Sequence, residues 1–338
     1  MKTIGILTSG GDSQGMNAAT RAVTRKALSE GFRVMGIKKG YNGLINGEIE
    51  ELFASSVSGK LSRGGTFLQT ARCLEFKEEA GVLAAVKTCK EFGIEGIVVI
   101  GGDGSFRGAR DLCLHGIKCV ALPGTIDNDI VCSDYTIGFD TALNIVVEMV
   151  DRLRDTCESH DRCSVVQIMG KNAGWVTLES AIATGATSMV VPEVEFDFER
   201  DIVARIRNGQ KLGKNHFIVL VSEGVFFDVP SNKNYKYVKE HGIDSAAAFA
   251  AAVQKATGVE AREAILGHGQ RGGSPTARDR VIATEMGSYA VDLLKNDISN
   301  RVVVMKDNKI TDYDILEALQ MKKPFDMERY NMANAINI

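Results

Sequence analysis

The sequence predicts two α/β lobes, each a mainly parallel sheet covered by helices, with the functional site in the cleft between them. Three observations carry this. Short apolar runs alternate with helical periodicity along most of the chain, a pattern that builds parallel sheets with helices on both faces. Glycine- or aspartate-rich turns follow several of those runs. The length of 338 residues leaves room for about two domains at roughly 150 residues each. In such sheets ligands bind at the carboxyl ends of the strands. The residues just after each apolar run are therefore the informative ones.

Taken in order, Thr3–Leu7 reads as a strand, Asn17–Glu30 as a helix after a glycine turn, and Arg33–Ile37 as a second strand. Val82–Phe92 reads as a helix, Gly96–Ile100 as a strand, Phe106–Leu114 as a helix and Cys119–Leu122 as a strand. The second half continues with Val165–Met169, Phe217–Val221 and Ala264–Leu266 as strand candidates. Phe226–His241 is polar and lacks a period, which predicts a surface loop. No repeat of 20–50 residues and no low-complexity segment is visible. Each half is thus a Rossmann-like α/β lobe.

Composition narrows the function classes. The 35 glycines exceed the usual share while the 5 prolines fall below it, which points to tight turns and close backbone approach rather than disorder. A net charge of −3 offers no global attraction to nucleic acid or to an anionic membrane. The N-terminus reaches a glycine turn within a few residues, so no signal peptide is expected. No apolar run approaches the ~20 residues of a membrane span. Seven cysteines without a CxxC pair argue for reduced thiols and a cytoplasmic location.

Three turns carry the chemistry. The first, Ser9-Gly10-Gly11-Asp12-Ser13-Gln14-Gly15-Met16-Asn17, opens a helix and can cradle a phosphate on backbone N–H groups. It fits neither the G-x-x-x-x-G-K-[ST] nor the G-x-G-x-x-G spacing, and a ligand-free strand-to-helix turn is the plain alternative. In the second, Gly101-Gly102-Asp103-Gly104-Ser105, small residues surround one carboxylate able to reach Mg²⁺ beside phosphates, with Ser105 also available as a helix cap. The third, Pro123-Gly124-Thr125-Ile126-Asp127-Asn128-Asp129, sets two carboxylates two residues apart. One of them can take the proton of an attacking hydroxyl, and an Asx turn is the alternative. Arg63-Gly64-Gly65-Thr66 with Ala71-Arg72, and Gly267-His268-Gly269-Gln270-Arg271-Gly272-Gly273, add cations in glycine-rich surroundings that suit phosphate oxygens.

From Lys2 to about Phe325, interrupted mainly around Phe226–His241, the chain resembles the bacterial ATP-dependent 6-phosphofructokinases, through GGDSQGMN, GGDGS, PGTIDNDI, TIGFDTA, MGKNAGW and GHGQRGGSP. The resemblance implies transfer of the γ-phosphoryl of MgATP to the 1-hydroxyl of fructose 6-phosphate. Asp127 would be the base, with Asp129 and Thr125 beside the transferring group and Arg72 stabilising its charge. Asp103 would hold Mg²⁺, while Gly11, Cys73, Gly102, Gly104, Ser105 and Gly108 would line the nucleotide. Met169, Gly170, Glu223, His268 and Arg271 would form the sugar-phosphate pocket of one subunit. Arg162 and Arg262 would come from its neighbour in a homotetramer. Residues 1–138 plus about 270–320 would be the nucleotide-binding lobe, and 139–269 plus about 321–338 the sugar-phosphate lobe.

The chain departs from this pattern in places. Lys171 stands where the family has an arginine, keeping the charge but losing the bidentate fork. Arg21, Arg25, Arg154, Lys214 and His216 match the family's basic effector site. Ala54, Thr187, Leu212 and Asn215 replace other charged members of it, which implies weak or altered regulation. Cys73 and Lys77 stand in for an aromatic and an arginine near the base. Pyrophosphate-using relatives carry larger residues where Gly104 and Gly124 stand, so small residues there imply ATP. A pyrophosphate-dependent enzyme, a kinase of another sugar phosphate such as sedoheptulose 7-phosphate, and a non-catalytic regulatory paralogue are the competing readings.

Overall fold

The computed structural model describes residues 1–337. Its elements in chain order are β1 (Thr3–Ser9), α1 (Met16–Ser29), β2 (Arg33–Ile37), α2 (Gly40–Asn46), β3 (Ile49–Glu51), α3 (Glu79–Glu91), β4 (Gly96–Gly101), α4 (Asp103–Leu114), β5 (Lys118–Pro123) and α5 (Phe139–His160). There follow β6 (Arg162–Ile168), α6 (Trp175–Thr184), β7 (Ser188–Val190), α7 (Ala204–Lys211), β8 (Phe217–Ser222), α8 (Tyr235–Glu240), α9 (Ala246–Thr257) and β9 (Glu260–Ile265). The chain ends with α10 (Ala277–Lys295), β10 (Arg301–Lys306), β11 (Lys309–Asp314), α11 (Ile315–Gln320) and α12 (Met327–Ile336). Two compact units result: Met1–Thr141 with Arg271–Lys323, and Ala142–Gln270 with the residues from Pro324 onward.

The first unit holds a seven-stranded sheet in the order β11-β10-β5-β4-β1-β2-β3. Its five inner strands run parallel, and the outermost strand at each side is antiparallel. Every residue of β1 and β4 is buried, as expected of strands covered on both faces. One core cluster gathers Leu7, Ile37, Ile97, Val99, Phe106, Val302 and Val304. Each fully buried side chain of this size stabilises the unit by about 1.5–3 kcal/mol.

The second unit holds a four-stranded parallel sheet, β7-β8-β6-β9. Phe196 and Phe198 both pack on Phe249, with ring centroids 6.0 and 5.4 Å away. Its C-terminal segment closes on α6 through Trp175 against Phe325 and a two-armed ion pair of Arg329 with Glu179.

The alternating pattern is confirmed, with differences. β9 begins at Glu260 rather than Ala264, because a half-exposed edge strand alternates Glu, Ala and Arg and hides its period. β10 and β11 lay in the sequence as a Val-Val-Val-Met run before an Asp-Asn turn whose two residues have positive φ. Phe226–His241 is more than a surface loop. It contains α8, and Asn234 is 1% exposed, donating to the Val191 and Val194 carbonyls (both 2.9 Å) and accepting from Phe196 N (3.2 Å). A polar residue that satisfies a neighbour's backbone leaves no apolar signal in the sequence.

Candidate active site

Within the first unit the three turns meet at the carboxyl ends of β1, β4 and β5. After β1, Gly15 adopts φ +99°, and a Cβ there would stand 2.6 Å from Ile137 Cγ2, so only glycine fits. No side chain caps α1. Asn17 instead donates to the Arg63 and Gly64 carbonyls (3.1 and 3.0 Å) and accepts from Phe67 N (2.8 Å). Thr8 bonds Thr66 Oγ1 and the Gln69 carbonyl, while Thr70 donates to the Gly10 carbonyl. The segment carrying exposed Arg72 is thereby tied to the first turn.

The second turn leans on the first. Gly101 lies so close that a Cβ would meet Ser105 Oγ and the Ser9 carbonyl, both at 2.4 Å. Ser105 does not cap α4. Its hydroxyl donates to the Ser9 carbonyl (3.1 Å), and Gly102 occupies the N-cap with no side-chain bond. Asp103 and Gly104 are exposed at the helix start, and a Cβ at Gly102 or Gly104 would meet nothing within 4 Å. Gly108 is different: a Cβ there would strike Tyr41 Cζ at 2.6 Å, and the Tyr41 hydroxyl donates to the Ser105 carbonyl at 2.5 Å. Gly108 thus makes room for a buried tyrosine that braces the turn. Cys73, half-buried, packs on the same core, and burial pushes its thiol above the ordinary range.

In the third turn Thr125, Asp127 and Asn128 are buried, and Asp127 N donates to Thr125 Oγ1 (3.2 Å). The Arg271 guanidinium stands 3.9 Å from Asp127 Oδ1 and donates to the Asp12 carbonyl at 3.0 Å. It also covers Gly11, where a Cβ would approach Nη1 to 2.9 Å. Asn128 is held at φ +50°, its carbonyl taking a hydrogen bond from Lys323 (3.2 Å), which also donates to Ser133 O (3.2 Å). Burial lowers the Lys323 ammonium below its usual value. Half-buried Asp129 completes the turn. Gly124 has its own packing reason, since a Cβ would lie 2.9 Å from Ile100 Cγ2 and 3.2 Å from Met16 Cε.

Sequence reasoning missed Asp279. Fully buried at the start of α10, it accepts from the Tyr135 hydroxyl (2.6 Å), Gly138 N (2.7 Å), Thr141 N (2.9 Å) and Thr141 Oγ1 (2.5 Å). In the sequence it reads only as an acidic residue in a first helical turn capped by Thr276.

Within the second unit, Glu223 Oε1 accepts from Gly170 N (3.2 Å) and Lys171 N (2.8 Å), and Met169 N donates to Gln270 Oε1 (2.8 Å). Lys171 sits at φ +54° with its side chain exposed. Next to it, Glu193 accepts from Gly174 N (2.8 Å), and burial raises its carboxyl above the usual range. Arg162 and Arg262, on adjacent strands, share Glu260 at 3.0 and 2.7 Å. His268 is exposed in a 3-10 turn. Met169, Gly170, Lys171 and Glu223 therefore come together, whereas Arg271 belongs to the first unit, beside Asp127.

The effector candidates divide likewise. Arg21 and Arg25 lie on α1 of the first unit. In the second, Arg154 donates to the Thr184 carbonyl, and His216 bonds Asn215 Oδ1 (3.1 Å). Lys214 and Thr187 line one cavity of about 410 Å³.

The Phosphofructokinase family matches residues 3–294. The chain is 50% identical to ATP-dependent 6-phosphofructokinase 1 of Clostridium perfringens over 337 residues, covering 100% of both chains. An ATP-dependent 6-phosphofructokinase of Clostridium botulinum matches at the same identity and coverage. Among solved structures, phosphofructokinase from Saccharomyces cerevisiae superposes with a TM-score of 0.83 at 31% identity, covering 99% of this chain and 47% of that one, so this chain spans about half its length. A pyrophosphate-dependent phosphofructokinase from Marinobacter aquaeolei shares the fold at 19% identity and a TM-score of 0.81, covering 97% and 86%. With its match over most of its length and relatives identical at half of all positions, the chain belongs to the phosphofructokinase family.

Proposed function

We propose that the protein transfers the γ-phosphoryl group of MgATP to the 1-hydroxyl of D-fructose 6-phosphate, releasing fructose 1,6-bisphosphate and ADP, as a cytoplasmic enzyme. The observation that carries the reading is buried Asp127, held between Thr125 Oγ1 and the Arg271 guanidinium at the end of a parallel strand. A carboxylate so placed can accept the hydroxyl proton, and positioning supplies most of the help this chemistry needs. Asp129 and Thr125 lie in the same turn, and exposed Arg72, two residues after Thr70, which bonds the Gly10 carbonyl, would neutralise charge on the transferring group.

The nucleotide would lie over the start of α4, where Gly102 and Gly104 leave open space, with Gly11, Ser105, Gly108 and Cys73 around or beneath it. Exposed Asp103 suits Mg²⁺, which takes one or two carboxylates plus phosphate oxygens rather than an all-protein cage. When bound, Mg²⁺ would screen the charge of the β- and γ-phosphates.

Fructose 6-phosphate would be held by Met169, Gly170, Lys171, Glu223, His268 and Arg271, the last standing 3.9 Å from Asp127 Oδ1. Arg162 and Arg262 would serve a neighbouring subunit of a homotetramer. The first unit would then be the nucleotide lobe and the second the sugar-phosphate lobe. Arg21, Arg25, Arg154, Lys214 and His216 would each contribute to binding an effector, weakly, because Ala54, Thr187, Leu212 and Asn215 bring no charge.

A steady-state assay with fructose 6-phosphate and Mg²⁺, run separately with ATP and with pyrophosphate, tests the reading. Turnover with ATP alone, abolished by Asp127→Asn, is expected. Turnover with pyrophosphate would overturn the donor, and none with either donor would leave a regulatory binding protein.

A further inference from the structure

We infer that Asp279 is a positioning residue for phosphoryl transfer, acting through the segment Tyr135–Thr141 to hold the first and third turns in register. The inference deepens the proposed reaction and rests on Asp127 being its base. Four donors converge on the two carboxylate oxygens: the Tyr135 hydroxyl and Gly138 N on Oδ1, Thr141 N and Oγ1 on Oδ2. Two of them are backbone N–H groups, so the carboxylate fixes main chain.

The segment it fixes spans the site. Ile137 N donates to the Pro123 carbonyl (2.8 Å), Gly124 and Ile137 form a β-bridge, and Thr136 Oγ1 donates to the Thr125 carbonyl (2.7 Å). On its other side the Ile137 carbonyl accepts from Ser13 Oγ (2.8 Å), and Gly138, at φ +106°, packs against Ser13. Ile137 thus bonds the phosphate-type turn through its carbonyl and the Asp127 turn through its N–H. Asp279 anchors the Gly138 N–H of the peptide whose carbonyl accepts from Ser13. The packing excludes alternatives: an added Cβ at Gly15 would touch Ile137 and lie 3.6 Å from Asp279 Cβ. Asp279 itself is held at the start of α10, where Thr276 Oγ1 accepts from Asp279 N (3.3 Å) and donates to Asp140 (2.7 Å).

An amide matches the carboxylate in shape, but its NH₂ cannot accept from an N–H. Whichever way Asp279→Asn turns, one backbone N–H, at Gly138 or at Thr141, loses its acceptor. The expected result is a shift of the Thr125–Asp127 turn by up to about 1 Å. Misplacements of that order cost up to ~10²-fold in rate. In the full-length protein, Asp279→Asn is therefore expected to lower kcat by roughly 10–100-fold, with KM for ATP and for fructose 6-phosphate within about threefold of wild type.

Val304→Ala, a core truncation in the same unit outside this network, is the control for general destabilisation. It should lower Tm comparably with kcat near wild type. Tyr135→Phe, which removes one donor and adds none, keeps the test open if the asparagine variant does not fold. It should lower kcat about 3–5-fold at unchanged KM. The inference is overturned if the foldable variants of Asp279 and Tyr135 keep wild-type kcat, or lose it only in step with Val304→Ala. If wild type itself shows no turnover, the proposed reaction fails instead, and the two failures are told apart.

Discussion

Replacing Gly104 with aspartate and Gly124 with alanine separates space kept for a nucleotide from space filled by the core. Both positions lack a side chain, and the resemblance implies that both bear on donor choice, yet their surroundings differ. At Gly124 a Cβ would lie 2.9 Å from Ile100 Cγ2 and 3.2 Å from Met16 Cε, well inside the ~3.5–4.0 Å of an ordinary carbon contact. Ile100 is fully buried and its Cγ2 sits directly on the β-carbon, so it cannot yield easily, whereas Met16 Cε ends a flexible chain and can shift slightly. Overpacking of this kind costs about 1–3 kcal/mol, offset by about 0.4–1 kcal/mol from the stiffer unfolded chain. At about 2–4 °C per kcal/mol, Gly124→Ala should lower Tm by a few degrees. At Gly104 nothing lies within 4 Å, and an aspartate in the first turn of α4 complements the helix dipole by a few tenths of a kcal/mol. Gly104→Asp should therefore leave Tm unchanged or slightly raised. Its carboxylate would nonetheless oppose the nucleotide phosphates, and a like-charge penalty of ~2.7 kcal/mol corresponds to ~10²-fold in kcat/KM for ATP. Thermal melting and steady-state kinetics on both variants read the two effects separately. If Gly104→Asp keeps ATP kcat/KM within about threefold, the space above α4 is not the nucleotide's. If Gly124→Ala melts with wild type, the packing argument fails.

Further outcomes follow from the second unit. Asn234→Ala removes the partner of three backbone groups of Val191, Val194 and Phe196 at a fully buried position. Losses of ~1–3 kcal/mol per unsatisfied group predict a clear fall in Tm and faster proteolysis within residues 226–241, and an unchanged digestion pattern would count against this anchoring. Burial raises the Glu193 carboxyl, so its ionised form penalises the fold above its folded-state pKa, and the penalty fades as pH falls through that value toward the ordinary carboxylate range. Glu193→Gln should accordingly melt higher than wild type at pH 8, with the gap closing under acid, and a gap that is constant with pH would contradict the assignment. Lys171→Arg restores a bidentate donor at a position whose N–H is already fixed by Glu223, and should change kcat or the ATP KM by at least about threefold. Identical kinetics would show that the fork is immaterial there.

The alternation of buried runs such as Thr3–Ser9 and Gly96–Gly101 with amphipathic helices determined the α/β class, because strands covered on both faces must be continuously apolar. The same rule put the glycine and aspartate turns at strand ends, so Asp103, Thr125 and Asp127 could be singled out from the chain alone, while Arg72 was named from its glycine-rich neighbourhood and the resemblance. Edge strand β9 and the polar anchor Asn234 escaped, since half-exposed strands and hydrogen-bonded side chains carry no apolar period. Only the tertiary structure could decide which glycine serves what. Gly104 faces open space, while Gly108 accommodates Tyr41 and Gly124 accommodates Ile100, and all three are the same letter in the sequence. It also decided that Arg271 stands beside Asp127, and that Asp279, about 150 positions further along, governs the main chain next to that turn. Such relations depend on distances between segments remote in sequence, which local propensity and spacing do not encode.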